Sequence, residues 1–304
     1  MHELGCRLGL VAVVVFFSAC SGGTIDTGGP ADTGSIGASG GAAGPGAGTG
    51  GASMADGGSA LGSGGAVVDA TSETPAREVP AGAGDYGLTG PSRCAAAGVA
   101  LCEGFENGLD ATVWRTTQSG DGTATVDELH AARGSKALHV HTAGGGFAYV
   151  TERGSFPATS ATLYARMFVW LEDDITTAGH FSMAEGKGTG TAAAIRFGGQ
   201  FKSFGVGTDQ GASGDWTDRD NKPVPSKTWI CVEFQFKGEG NEFHVWWDDV
   251  ERPALTSGAA KHRGFTMPTF NSLWFGWWMY NAREPQDLWI DEIAIDAKPI
   301  GCAR

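Results

Sequence analysis

From about residue 101 onward, short runs of aromatic and β-branched residues alternate with polar ones, and Gly, Asp and Asn break the runs. Leu163-Tyr-Ala-Arg-Met-Phe-Val-Trp170 is one such run. Between Thr228 and Phe236 the alternation puts Ile230, Val232, Phe234 and Phe236 on one face, with Cys231, Glu233 and Gln235 on the other. That is the period of a half-buried strand, because successive side chains of extended backbone point to opposite sides. Phe243 to Trp247, Ser272 to Tyr280 and Leu288 to Ile295 repeat it, and no segment sustains a helical period over three turns. About a dozen strands in roughly 200 residues, with no helices between them, predict an all-β antiparallel sandwich of jelly-roll type.

The first ninety residues obey neither period. Arg7 precedes an apolar run from Leu8 to Phe17, too short for a helix that must cross a hydrocarbon layer of about 30 Å. Small residues follow, so residues 1–19 read as a secretory signal peptide. Phe17-Ser18-Ala19-Cys20 resembles a bacterial lipobox, with Cys20 as the lipidated new N-terminus; an ordinary signal peptide ending near a cysteine is the alternative. Ser21, not Asp, follows Cys20. By resemblance to bacterial sorting rules this predicts an exported lipoprotein of a Gram-negative outer membrane or cell surface, tied to the membrane through the lipid alone. Residues 20–92 are Gly, Ala, Ser and Thr with scattered Pro and Asp. The stretch 21–90 holds 22 of the chain's 50 glycines and one aromatic, Tyr86. Such a sequence cannot bury enough apolar area to offset its chain entropy, so a disordered tether is expected, with a reach of about 45 Å. The β domain then occupies residues 93–304, enough for one sizeable core.

Charge narrows the partners. The chain of 304 residues carries a net charge of −13, which leaves no basic footprint for nucleic acid. An anionic substrate stays open, because a few arginines in a cleft outweigh a mildly acidic exterior. A monomer is expected. With Cys6 in the leader and Cys20 lipidated, Cys94, Cys102, Cys231 and Cys302 remain, an even number in an oxidising compartment. Three pairings are possible. Cys94–Cys102, closing a short loop, and Cys231–Cys302, tying the last residues to a central strand, form the preferred set. No Cys or His spacing suits a zinc site.

Some residues call for chemistry rather than packing. Asp291 is expected to share a strand face with Trp289, Ile293 and Ile295, where a lone carboxylate is costly. A cation held by Glu106, Asp291 and turn carbonyls would compensate it, as would backbone amides or an arginine. On the strand from Ala192 to Gln200, Arg196 and Gln200 share a face opposite Ile195 and Phe197. Gly198 and Gly199 leave room for a polymer to approach. Trp246-Trp247 and Trp277-Trp278 each place one indole in the core and the other outside. His139 and His141 share a face but lack a third ligand, and read as surface. A glycoside hydrolase needs two carboxylates roughly 5 to 9.5 Å apart; Asp291, Glu292 and Asp296 lack the spacing of jelly-roll glucanases.

Glu103-Gly-Phe-Glu-Asn-Gly108, Arg133-Gly-Ser-Lys-Ala-Leu-His-Val140 and Leu288-Trp-Ile-Asp-Glu-Ile-Ala-Ile295 resemble, in order, motifs of a carbohydrate-active jelly roll. His180-Phe181, Arg196-Phe-Gly-Gly-Gln200, Trp229-Ile-Cys-Val-Glu233, Phe275-Gly-Trp-Trp-Met-Tyr280 and Ile300-Gly-Cys302 extend the match over about residues 98–304. Together they resemble the core domain of the fungal cellulose-inducible secreted protein family. That family has a concanavalin-like sandwich and is similar in fold to glucuronan and alginate lyases. The resemblance implies a structural Ca²⁺ on Glu106, Asp291 and the main-chain oxygens of Arg133 and Lys136, where Lys136 replaces a neutral amide. It implies a groove with His180, Arg196, Gln200 and Tyr280 as the working set. Asp209, with Asp215 as alternative, and Trp277 would contact substrate. It implies a polysaccharide partner, anionic if the lyase chemistry is kept. A second histidine found in some members is replaced by Ala194, which favours a binding module that does not cleave.

Overall fold

The computed structural model describes residues 90–303 apart from 95–96, 153, 157–161, 177, 189–193, 209–215, 217, 263 and 281–283. The leader 1–19, Cys20, most of the 20–92 tether and both Asp209 and Asp215 lie outside the described residues. The antiparallel sandwich expected from the alternation is what forms. In chain order its strands are β1 (Leu101–Glu103), β2 (Trp114–Ser119), β3 (Thr123–Asp127), β4 (Ala137–Thr142), β5 (Phe147–Glu152), β6 (Thr162–Leu171), β7 (His180–Gly188) and β8 (Ala194–Gln200). Then come β9 (Ser203–Thr208), β10 (Asp218–Pro223), β11 (Ile230–Lys237), β12 (Glu242–Trp247), β13 (Val250–Glu251), β14 (Ser257–Gly258), β15 (Phe270–Tyr280) and β16 (Gln286–Asp296).

Nine strands build one sheet in the order β13-β12-β11-β6-β16-β4-β3, with β1 added to β16 and β14 to β12. Seven build the other, in the order β10-β9-β8-β7-β15-β5-β2. Their facing sides make the core. Ile230, Val232, Phe234 and Phe236 all point into it, as their alternation requires, and Phe234 meets Phe197 of the opposite sheet at 5.9 Å. Each such fully buried side chain contributes roughly 1.5–3 kcal/mol of transfer free energy. Cys231, on the outer side of β11, joins a small cluster with Ala132, Phe168 and Cys302. Both preferred disulfides form, Cys94–Cys102 and Cys231–Cys302. Among the described residues no helix is long and apolar enough to cross a membrane.

One face assignment is corrected. Asp291 shares a side with Trp289, but Ile293 and Ile295 lie in the core with Leu288 and Ile290. The pairing of β16 with β6 shifts between Asp291 and Ala294, and Glu292 adopts a left-handed φ of 49°. An extra residue in one strand reverses the alternation beyond it. Before this bulge β16 pairs with β4, and after it with β1.

Candidate functional site

The side chains of the seven-stranded sheet that face away from the core include one row set across four strands. Tyr280 on β15 pairs with His180 on β7, His180 with Gln200 on β8, and Gln200 with Ser203 on β9. Directly opposed residues of antiparallel strands are about 5 Å apart and share a face, so this row is fixed by the backbone. The Tyr280 ring meets His180 edge-on at 4.8 Å, and the buried Trp216 indole lies 5.8 Å from His180. Arg219 on β10 donates from Nη1 to Gln200 Oε1 at 3.1 Å and lies over the Phe201 ring at 4.7 Å. His180, Gln200, Tyr280 and Arg219 are each partly exposed. Three of the four residues singled out in the sequence are thus brought together, and a guanidinium that the sequence did not mark joins them.

Arg196 is elsewhere. It follows the same face of β8 but stands four residues from Gln200, about 13 Å along an extended strand. Its row runs Arg196–Glu185–Trp274–Thr151–Arg115 across β8, β7, β15, β5 and β2. Its Nε donates to Glu185 Oε2 at 2.7 Å, and Glu185 Oε1 accepts from Trp274 Nε1 at 3.2 Å. Glu185 is only 8% exposed, so this carboxylate balances the guanidinium charge in place. The expectation that Arg196 works beside His180 and Tyr280 is corrected by that distance.

Between the two rows the floor is small. Gly198 is the cross-strand neighbour of both Ser182 and Gly205. A Cβ on Gly198 would fall 2.0 Å from the Phe181 carbonyl oxygen, so only glycine fits. Gly199 serves the other face, where its Cβ would strike the Phe181 ring at 2.6 Å; its expected part in the groove is corrected. Trp277 is corrected too. It is 1% exposed and stacked on Phe181 at 5.0 Å inside the core, because Phe275, two residues before it, points inward. Trp278 takes the outer side, stacked between Tyr280 at 4.8 Å and Phe147 at 4.3 Å.

The corner expected to hold calcium is built differently. Asp291 Oδ2 accepts the amides of Ala132 at 2.9 Å and Arg133 at 3.0 Å, and Oδ1 accepts that of Glu292 at 2.7 Å. Glu106 Oε1 accepts the amides of Ser135 at 2.9 Å and Lys136 at 3.1 Å. Both carboxylates therefore face the N–H side of one segment, 132–136. The Lys136 ammonium lies 3.3 Å from the Glu106 carbonyl oxygen. Calcium needs oxygen lone pairs turned inward; amide protons and an ammonium stand there instead, so the set as placed does not fit the ion. Burial pushes the Asp291 carboxyl up to about 7, against the pull of its three amides. Beside it Glu292 faces Arg133 at 3.4 Å and Arg166 at 3.7 Å, all three fully buried. Burial brings Arg166 down to about 10.

On the outer side of the other sheet, His139 is not a plain surface residue. Its Nδ1 and Nε2 lie 2.7 Å from Asp127 and Asp287, and its ring stacks on Trp289 at 4.2 Å. His141 shares Asp287 at 2.8 Å. Among the described residues the one compact set of three possible metal ligands is Cys94, Cys102 and Glu292, and its two sulfurs are spent in a disulfide.

Arg219 escaped the sequence reading because Asp218-Arg-Asp-Asn-Lys222 reads as a charged turn; only its pairing with β9 brings it to Gln200. Glu185 escaped because nothing local marks a carboxylate that a neighbouring strand will neutralise.

The sequence profile of the polysaccharide lyase-like, Cip1-like core domain matches residues 104–298. The solved structure of a cellulose induced protein, Cip1, is similar over 66% of this chain and 99% of its own, at 22% identity and a TM-score of 0.56. The endo-β-1,4-glucuronan lyase from the fungus Trichoderma reesei covers 66% of this chain and 96% of its own, at 13% identity and a TM-score of 0.46. No curated protein matches the sequence. The Cip1 match is one of shared fold.

Proposed function

The chain belongs to the Cip1-like core-domain family of polysaccharide lyase-like proteins, and from that premise we propose that its outer trough takes a polyuronate of glucuronan or alginate type and cleaves it by β-elimination. The observation that carries this reading is the row Tyr280–His180–Gln200 with Arg219 bonded to Gln200. Elimination requires the uronate carboxylate to be neutralised, which acidifies the proton at C5. A base then removes that proton, the C4–O bond breaks as a C4=C5 double bond forms, and an acid protonates the leaving oxygen. Arg219 supplies the charge for the first task. Because Gln200 Oε1 accepts from Arg219, its amide nitrogen is left to donate to the same carboxylate. His180 and Tyr280, in ring contact, take the two proton transfers. Arg196, balanced by Glu185, positions the chain rather than meeting the reacting carboxylate.

A second reading, polysaccharide binding without cleavage, draws on that same Arg196–Glu185 pair and on Ala194. The ultraviolet absorbance of the unsaturated product separates the two. Glucuronan, alginate or pectate should give a rise with the native protein. Arg219→Ala or His180→Ala should lower that rate at least a hundredfold with an unchanged melting temperature. Retention on a polysaccharide gel with no absorbance rise on any of the three decides for binding alone.

The proposal includes export and a lipid anchor at Cys20. The leader pattern supports it, and so do two disulfides, which persist in oxidising compartments. Cys20→Ser should move the protein from the detergent phase to the aqueous phase; equal partition of both forms removes the anchor.

A further inference from the structure

On the same outer side of the seven-stranded sheet lies a cavity of about 590 Å³, lined in part by Trp278, whose ring stacks on Tyr280 at 4.8 Å. Its floor is aromatic. Tyr149 stacks on Trp274 at 4.6 Å with 23° between the planes, and lies 6.4 Å from Trp278 at 13°. The rings stack on one another, Trp274 is buried, and Tyr149 and Trp278 are partly exposed, so the floor offers apolar ring edges to the C–H groups of a pyranose beside its hydroxyls. Arg115 and Lys187 line the cavity and are exposed, and neither has an ion pair among the described residues. Among the described residues Glu185 is the one carboxylate lining it. Both its oxygens are taken, one by Arg196 and the other by Trp274. The local balance is therefore two uncompensated positive charges on a chain of net charge −13. A neutral sugar has no use for them, whereas a carboxylate on the stacked ring does.

Trp274 stands six residues before Tyr280 on β15, about 20 Å along the strand, and Trp278, stacked on Tyr280 at 4.8 Å, lies between them, so one sugar unit cannot touch both Trp274 and Tyr280. We propose that Arg115 and Lys187, beside Tyr149 and Trp274, form a second subsite for an acidic sugar of the same polymer, separated from the one at His180 by Trp278. This rests on the polyuronate reading and extends it. This subsite grips the chain through charge and apolar contact, and it takes no part in proton transfer.

The full chain titrated calorimetrically with a long glucuronan oligomer, and with an uncharged cello-oligomer of equal length, tests this. Arg115→Ala/Lys187→Ala should weaken the acidic oligomer at least tenfold and leave any binding of the uncharged one unchanged. A double variant that binds the acidic oligomer within twofold of the native protein overturns the subsite and leaves the polyuronate reading standing. A native protein that fails to bind the acidic oligomer overturns that reading, and the subsite with it.

Discussion

Trp277 and Trp278 are adjacent, chemically identical and functionally opposite. Trp277 fills core volume and Trp278 faces the trough. Trp277→Ala should cost about 3–5 kcal/mol in urea unfolding, the usual range for a large core aromatic. Trp278→Ala should leave stability within about 1 kcal/mol and lower polysaccharide retention; equal losses of stability in the two variants would contradict these placements. Glu152 gives a residue-scale pH effect. It is 1% exposed, and burial raises its carboxyl above the ordinary 4.5 despite the Ser155 amide at 3.0 Å. Above 4.5 the native state keeps a proton that the unfolded chain has released. Stability from this group is thus full at low pH and is lost as pH rises through the native value. Glu152→Gln should flatten that decline in unfolding curves recorded from pH 4.5 upward. Such residues were only half legible. Alternation says that one Trp of a pair is buried, but not which, until a neighbour such as Phe275 is fixed in the core.

At the scale of elements, the end of the chain is held by more than its disulfide. Glu233 accepts the amides of Ile300 at 3.1 Å and Gly301 at 2.7 Å, and Arg166 donates to the Gly301 carbonyl at 3.0 Å. Cys231 and Cys302 are 71 residues apart, so the chain-entropy account assigns their bond about 4 kcal/mol. Cys231→Ala/Cys302→Ala should lose about that much in chemical denaturation and keep its β-sheet circular dichroism. A loss of less than about 1 kcal/mol would mean that Glu233 and Arg166 alone hold the tail. The turn between β8 and β9 shows a second kind of constraint. Phe201 and Lys202 both take left-handed backbone, at φ 53° and 70°, a conformation costing each roughly 1–2 kcal/mol. The turn carries Phe201 under Arg219, and Lys202 accepts the Val224 amide at 2.9 Å. The strain is spent where it sets the guanidinium beside Gln200.

At the scale of the whole molecule, the question is how an acidic protein presents a cationic trough. Arg133 and Arg166 are buried against Glu292, while Arg115, Lys187 and Arg219 keep at least partial exposure on the outer side of the seven-stranded sheet. The 132–136 corner also bears on the expected Ca²⁺. With amides and Lys136 satisfying Glu106 and Asp291, exposure to a chelator should leave the melting temperature unchanged. A rise on adding Ca²⁺ to the stripped protein would return the ion to that corner.

The all-β class and the inward faces of β8 and β11 followed from the two-residue period of a strand. The cysteine count left three pairings, of which the preferred one formed, and His180, Gln200 and Tyr280 were marked by motifs that resemble a known family. The tertiary structure alone decided the reversal at the β16 bulge, the removal of Arg196 to Glu185, the arrival of Arg219 and the amide-filled corner. These depend on which strands lie side by side and in what register. Register is set by long-range packing energy, and no short stretch of sequence carries its signature.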